Sequence, residues 1–172
     1  MRIRLLAWAL VGVTADGREA LLGYCTNVHP AENLAEVWEV LMTYAVPLKQ
    51  AVSPHAPLGV GLYLPAAAAE PLATRRESTA GFREFLPQAG LFAFTANAFP
   101  YGGFHGERVK ETAYRPDWTT PRRLEYTLNA ARGLAALIEP GQTGTVSTLP
   151  GSWKAWGMAE GRLTAMADNL LA

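Results

Sequence analysis

The segment from Asn97 to Glu111, NAFPYGGFHGERVKE, concentrates side chains that can do chemistry. His105 can exchange a proton near neutral pH, and Lys110 can stabilise negative charge that develops on a reacting group. Asn97 and Tyr101 offer an amide and a phenol that can orient the hydroxyls of a ligand. Structural alternatives stay open, because Asn97 can satisfy backbone groups, Tyr101 can pack in a turn and Lys110 can be a solvated charge.

Two other segments carry candidates of the same kinds. Asn27 and His29 close the segment GYCTNVH, and Thr148, Trp153 and Lys154 lie in VSTLPGSWK. His29 joins His105 as a candidate acid–base group or metal ligand, and the other four are candidate substrate-binding residues. The alternatives are that His29 caps the helix after it, Trp153 packs, and Lys154 is a surface charge.

Four apolar segments predict the strands that position these residues. They are residues 21–29, 58–65, 91–99 and 143–152, and a helical pattern follows each one. Continuous apolar strands that alternate with helices are typical of a parallel sheet covered by helices. Loops converge at the carboxyl ends of parallel strands, and there the polar candidates collect, without an acidic residue at any strand end. We therefore predict the site at this edge of the sheet.

The clearest predicted helix begins after Thr120, which is expected to cap it, with Pro121 at the first helical position. Its spacing predicts a buried stripe, which consists of Leu124, Leu128, Ala131, Ala135 and Ile138. The alanine-rich segment after residue 65 is predicted to be helical, broken early by Pro71 and ended by Gly90.

Composition limits the classes of function. The chain has 172 residues, of which 49% are hydrophobic and 17% charged, and its 15 basic residues balance its 15 acidic ones. Because the net charge is zero, overall electrostatics give no reason to expect nucleic-acid binding. The single cysteine, Cys25, excludes an internal disulfide and fits a cytoplasmic location. No segment is predicted to span a membrane.

Residues 1–20 are predicted to be an N-terminal extension or hairpin with a turn at Asp16-Gly17, with an export signal as the alternative, and residues 21–172 the main domain. Phosphate-loop, dinucleotide-binding, serine-hydrolase and zinc-site patterns are all missing from the sequence.

Three long segments resemble the EboE-type metabolite traffic proteins. They are GYCTNVHPAENLAEVWEVL, NAFPYGGFHGERVKETAYRPDWTTPRRLEYT and VSTLPGSWKAW. These proteins belong to the xylose isomerase-like TIM-barrel superfamily of sugar-phosphate isomerases and epimerases. The resemblance extends from about Leu22 to the C-terminus. It implies the N-terminal half of a (β/α)8 barrel, with about four parallel strand–helix units. A full barrel needs about 250 residues, so we expect a truncated chain, or else a half-barrel that dimerises.

The resemblance also implies a function. It predicts a metabolite traffic or processing protein with metal-assisted isomerase or epimerase chemistry when full length, using Mn²⁺, Mg²⁺ or Zn²⁺. The family's acidic metal ligands come from the second half of the barrel, so only His29, His105, Asn27 and Asn97 carry over, and the metal site stays unknown. The alternatives are a barrel that binds a small metabolite without catalysis, an inactive fragment, and an interaction module without a ligand. Exposed sheet edges and an apolar inner face predict self-association.

Overall fold

The chain forms one antiparallel and one parallel β-sheet. The computed structural model describes the backbone of residues 2–6, 9–13 and 19–21, and residues 23–102, 111–157 and 159–172 with their side chains. Its strands are β1 Arg2–Leu6, β2 Ala9–Val13, β3 Glu19–Leu21, β4 Gly23–Cys25, β5 Leu58–Tyr63, β6 Leu91–Ala98 and β7 Thr145–Thr148. Its α-helices are α1 Leu34–Val40, α2 Val46–Val52, α3 Ala66–Thr74, α4 Arg76–Gln88, α5 Pro121–Leu137 and α6 Glu160–Leu171.

Strands β4 to β7 form the parallel sheet, and they lie side by side in chain order. The predicted α/β fold is therefore confirmed, and its arrangement is consistent with half of a (β/α)8 barrel-like unit. Crossovers between parallel strands are right-handed, so strands added in one direction place all their helices on one face. The opposite face, called the inner face below, is the one that would point into a barrel.

Alternation along the strands separates the two faces of the sheet. Leu58, Val60 and Leu62 of β5 are buried against the helices, while Gly59 and Gly61 point to the inner face. The pairing of β5 with β6 shifts after Val60. Leu91, Ala93, Ala96 and Ala98 of β6 are buried, so the alternation skips one residue at this bulge. The inner face of β6 consequently carries Phe92, Phe94, Thr95 and Asn97.

The antiparallel sheet has the order β1-β2-β3. Arg2 lies opposite Val13 in the β1–β2 pair, and Val13 lies opposite Glu19 in the β2–β3 pair. Strand β3 crosses the predicted domain boundary at residue 21. That boundary stays a prediction, and the predicted Asp16-Gly17 turn lies outside the described residues.

A π-helical turn, Leu41–Ala45, joins α1 to α2, and the Val46 amide donates to the Leu41 carbonyl. Pro47 has no N–H to donate, and a wider turn beside a proline accommodates that loss. At the other end of the pair, Asn33 caps α1 through its Oδ1, which accepts from the Glu36 amide at 3.1 Å.

Two details of the helix predictions are wrong. Pro71 lies inside α3, and the break that separates α3 from α4 comes at Arg75. Thr120 is the N-cap residue of α5 and Pro121 is the first helical residue, as predicted, but the Thr120 hydroxyl donates to the Asp117 carbonyl at 3.0 Å and makes no capping hydrogen bond to the helix. Gly90 ends the segment as predicted, because its φ of +67° suits glycine.

The predicted buried stripe of α5 is also wrong. Leu128 is 38% exposed and Ala135 is exposed, whereas α5 turns a different set inward, namely Arg123, Tyr126, Asn129, Ala130, Gly133 and Leu134. Gly133 explains why this face of α5 is the buried one, because a Cβ at that position would lie 3.1 Å from the Leu72 side chain of α3. The two helices pack closely only on the face where α5 has small residues.

Candidate functional site

A polar row crosses the inner face at the carboxyl ends of three strands. Tyr63 of β5 lies opposite Asn97 of β6, and Asn97 lies opposite Ser147 of β7. The Ser147 hydroxyl hydrogen-bonds to the Asn97 Oδ1. That bond orients the Asn97 amide, and its NH2 group can then donate to a ligand.

A second polar pair lies one step further into the sheet. The Thr145 hydroxyl donates to the Thr95 Oγ1 at 2.8 Å, and the Thr95 hydroxyl donates to the Thr145 carbonyl at 3.1 Å. Beyond it the inner face becomes apolar, because Phe94 lies over Gly59, where a Cβ would be only 2.9 Å from the ring. The inner face therefore has an aromatic half and a polar half, and the polar half is at the carboxyl edge.

Tyr63 contributes a neutral phenol to the row. It is 2% exposed, and its hydroxyl donates to the Gly102 carbonyl at 3.0 Å. Burial, followed by the negative charge of Glu32, raises the pKa of Tyr63 to about 12. Tyr63 therefore stays protonated at neutral pH and holds the loop after β6 against the end of β5.

The end of β4 is tied to β5 through Thr26, which is buried. The Tyr63 amide donates to the Thr26 Oγ1 at 2.8 Å, and the Thr26 hydroxyl reaches the Gly61 carbonyl at 3.3 Å. Asn27 follows in a short 3-10 turn, Thr26–Val28, and its side chain is exposed. The structure thus places Asn27 at the carboxyl edge, where the sequence predicts it.

His29 lies apart from the polar row. Its ring stacks on Tyr44, with centroids 3.6 Å apart and planes 9° apart, and its Nε2 hydrogen-bonds to the Tyr24 hydroxyl. Tyr24 points away from the inner face, because its neighbours Gly23 and Cys25 occupy that face. His29 is held on the helix side of the sheet, and it does not cap α1.

The other predicted substrate-binding residues are spread over the carboxyl edge. Thr148 faces α5, where its Oγ1 lies 3.4 Å from the Thr127 Oγ1. Trp153 packs edge-on against Tyr114 at 4.9 Å, and Lys154 is exposed.

Tyr101 packs edge-on against Tyr126 at 5.1 Å, and its hydroxyl accepts from the Arg122 Nη2 at 3.4 Å. Of the predicted residues in the described part of the chain, only Asn97 takes part in the polar row. His105 and Lys110 lie outside the described residues.

Asp117 is a buried carboxylate at this edge that the sequence reasoning missed. Its Oδ1 accepts from the Thr119 amide at 3.0 Å and from the Thr119 hydroxyl. Its Oδ2 accepts from the Arg162 Nη2 at 2.8 Å and from the Ser152 hydroxyl. The only local signal is the Asp-x-Thr spacing of a turn. Arg162, in α6, is too distant in sequence to be associated with it.

The hydrogen bonds of Asp117 keep it ionised. Burial acts to raise the pKa of this carboxyl, but hydrogen bonds from Ser152 and Thr119 and the charge of Arg162 outweigh it and lower the pKa. Asp117 is therefore a fixed negative charge that joins the loop after β6 to the loop after β7.

The described residues present no grouped ligand set for the divalent metal that the resemblance implies. Among residues 23–102, 111–157 and 159–172, no three histidine, cysteine, aspartate or glutamate side chains are grouped to hold an ion. Asp117, the buried carboxylate at the edge, already has both oxygens occupied. The metal therefore stays a prediction.

Comparison with protein-family models, curated proteins and solved structures found no match to this chain. The resemblance to EboE-type proteins accordingly stays a prediction. In the described part of the chain, no helix has the length and apolar character needed to cross a bilayer.

Proposed function

We infer that the chain binds a small hydroxyl-rich metabolite, a sugar or a polyol, at the carboxyl edge of the inner face. The observation that carries this inference is the Ser147–Asn97 hydrogen bond, which orients an amide across two adjacent strand ends. An oriented amide and a neighbouring hydroxyl provide donors and acceptors at fixed positions, which suits recognition of adjacent ligand hydroxyls. The aromatic half of the inner face, which includes Phe92 and Phe94, suits contact with the C–H groups of the same ligand.

The wider role that we infer is metabolite traffic or processing in an isomerase- or epimerase-like barrel. In that role the chemistry is proton transfer, and His105 and Lys110 are its proposed acid–base and charge-stabilising groups. The alternative is a barrel that binds the metabolite without catalysis. The position of His29 supports this alternative, because stacking on Tyr44 and bonding to Tyr24 keep it away from the polar row.

Adjacent residues on β7 provide the test, because Ser147 and Thr148 point to opposite faces of the sheet. We expect at least one of xylose, xylitol, glucose and sorbitol to bind the 172-residue chain saturably by calorimetry or ligand-observed NMR. Ser147→Ala should weaken that binding by about threefold to tenfold, since the net value of a hydrogen bond is about 0.5–1.5 kcal/mol. Thr148→Val, which alters a hydroxyl on the helix side, should leave binding unchanged.

Two results would contradict the inferred function. One is that none of the four compounds binds at millimolar concentration. The other is that Ser147→Ala and Thr148→Val weaken binding equally although the circular dichroism spectra of both variants match that of the native chain.

A further inference from the structure

A pocket rich in arginine lies between the β6–α5 loop and the β7–α6 connection. Its volume is about 500 Å³, and Arg115, Arg122 and Arg162 line it together with Asp117 and Trp156. Three arginines and one carboxylate, that of Asp117, therefore line the pocket. Because the whole chain has equal numbers of basic and acidic residues, this excess of positive charge is local.

Asp117 orients Arg162 and does not neutralise the pocket. The Arg162 Nη2 donates to the Asp117 Oδ2 at 2.8 Å and lies 2.9 Å from the Ser152 Oγ. Both Asp117 oxygens are already occupied, so this carboxylate has no lone pair directed to a further cation. The Arg162 Nε is buried with no acceptor among the described residues. A guanidinium that is held through one nitrogen keeps N–H groups for a ligand.

Aromatic rings hold the other two arginines in place. The Arg115 guanidinium lies 4.3 Å from the Trp156 ring centroid, and that of Arg122 lies 5.2 Å from the Tyr101 ring centroid. Stacking of this kind fixes a guanidinium without cancelling its charge. The acidic neighbour of Arg115 is Glu111, at 3.6 Å, and both side chains are largely exposed, so this ion pair is weak.

The first turn of α5 adds to the positive potential. It contains Arg122 and Arg123 and no acidic residue, although cations are unfavourable at the positive end of a helix dipole. Arg123 is fully buried, and among the described residues its guanidinium donates to the carbonyls of Pro116 and Ala98. Its Nη2 has no partner within the described part of the chain. An anion bound in front of this turn would offset the repulsion among these charges.

We propose that this pocket binds the phosphate group of a small phosphate monoester whose organic part lies against Trp156. A phosphate dianion matches several guanidinium groups better than a single carboxylate does, because it presents more acceptor oxygens and more charge. The pocket is also larger than phosphate alone requires, and Trp156 supplies an apolar wall. This site goes beyond the inferred sugar or polyol site, and inorganic phosphate tests it without any sugar.

The first experiment titrates the full chain with inorganic phosphate at constant ionic strength, by calorimetry or ³¹P NMR. We expect saturable binding, and Arg122→Gln should weaken it about tenfold, which corresponds to about 1.4 kcal/mol. Arg132→Gln removes the same charge from an exposed position further along α5, and it should leave binding unchanged. Because Arg122 is exposed, its substitution is expected to leave the fold intact.

The second experiment compares inorganic phosphate with phenyl phosphate and with phenol. Phenyl phosphate should bind more tightly than inorganic phosphate, and Trp156→Ala should remove that difference. Equal affinities for inorganic phosphate and phenyl phosphate would overturn the proposal that the ligand is a phosphate monoester, and would indicate a site for free phosphate. The proposed phosphate site itself would be overturned if phosphate showed no saturable binding. Equal weakening of binding by Arg122→Gln and Arg132→Gln would also overturn it. Arg115→Gln provides an independent check at a second exposed position.

Discussion

Asp117 is 5% exposed and accepts hydrogen bonds on both carboxylate oxygens. Its partners come from two different loops and from α6, so the charge of one side chain joins segments that are distant in sequence. Because these partners lower the pKa of Asp117, its ionised form stabilises the folded chain relative to the unfolded one.

This stabilisation should depend on pH in a defined direction. The folded pKa of Asp117 lies below its unfolded value, so the stabilisation is fully present above the unfolded value and is lost as pH falls through the folded value. We expect the difference in unfolding free energy between the native chain and Asp117→Asn to be constant from about pH 5 to pH 7, and to shrink below about pH 4.

Urea unfolding at a series of pH values measures that difference. Asp168→Asn removes an exposed carboxylate from α6, and its stability should stay within about 0.5 kcal/mol of the native chain at neutral pH. A difference for Asp117→Asn that grows as pH falls would contradict the assigned direction of the pKa shift.

At the scale of elements, α5 holds the carboxyl ends of two strands. The Tyr126 hydroxyl donates to the Leu64 carbonyl at 2.6 Å and lies 3.0 Å from the Pro100 carbonyl, while the Arg123 Nη1 donates to the Ala98 carbonyl at 3.0 Å. Burial is the main cause that raises the pKa of Tyr126, so the phenol stays protonated and keeps its donor. The candidate site therefore depends on side chains of a helix that lies on the opposite face.

Tyr126→Phe tests this connection. Removal of the hydroxyl leaves buried carbonyls without their donor, so the unfolding free energy should fall by about 1–3 kcal/mol. Tyr114→Phe is the matched control, because no hydrogen bond of the Tyr114 hydroxyl is described and its contacts are between rings. Denaturant midpoints at equal m-values provide the measurement. Equal destabilisation by the two substitutions would contradict the role of Tyr126.

At the scale of the whole molecule, the parallel sheet has two edges. Within the described residues, β4 pairs only with β5 and β7 pairs only with β6. Edge strands present backbone groups that another chain can pair with, although short edges such as these limit the number of such bonds. Self-association through the edges therefore stays a prediction.

Light scattering after size exclusion, over a range of concentrations, measures self-association. We expect a mass above that of one chain, and Thr145→Lys should lower it, because a lysine on an edge strand opposes pairing. Thr164→Lys adds the same charge to an exposed position on α6 and should have no effect. A monomer mass at every concentration would contradict the prediction.

The four parallel strands and the helices between them could be predicted from the sequence alone. These are local properties: the apolar runs of β5 and β6 and the glycine at residue 90 act through their immediate neighbours in the chain. The parallel order follows as well, because a helix between each pair of strands leaves few other connections.

Which side chains meet could not be predicted, because it depends on how distant elements pack together. Asp117 and Arg162 are 45 residues apart, and no local pattern connects them. Because successive side chains of β7 point to opposite faces of the sheet, Ser147 and Thr148 lie on different faces. The bulge in β6 sets which of its residues reach the inner face. The buried face of α5 depends on Gly133 fitting against Leu72. Side-chain contacts of this kind depend on packing between elements, and the periodicity of a single segment does not contain that information.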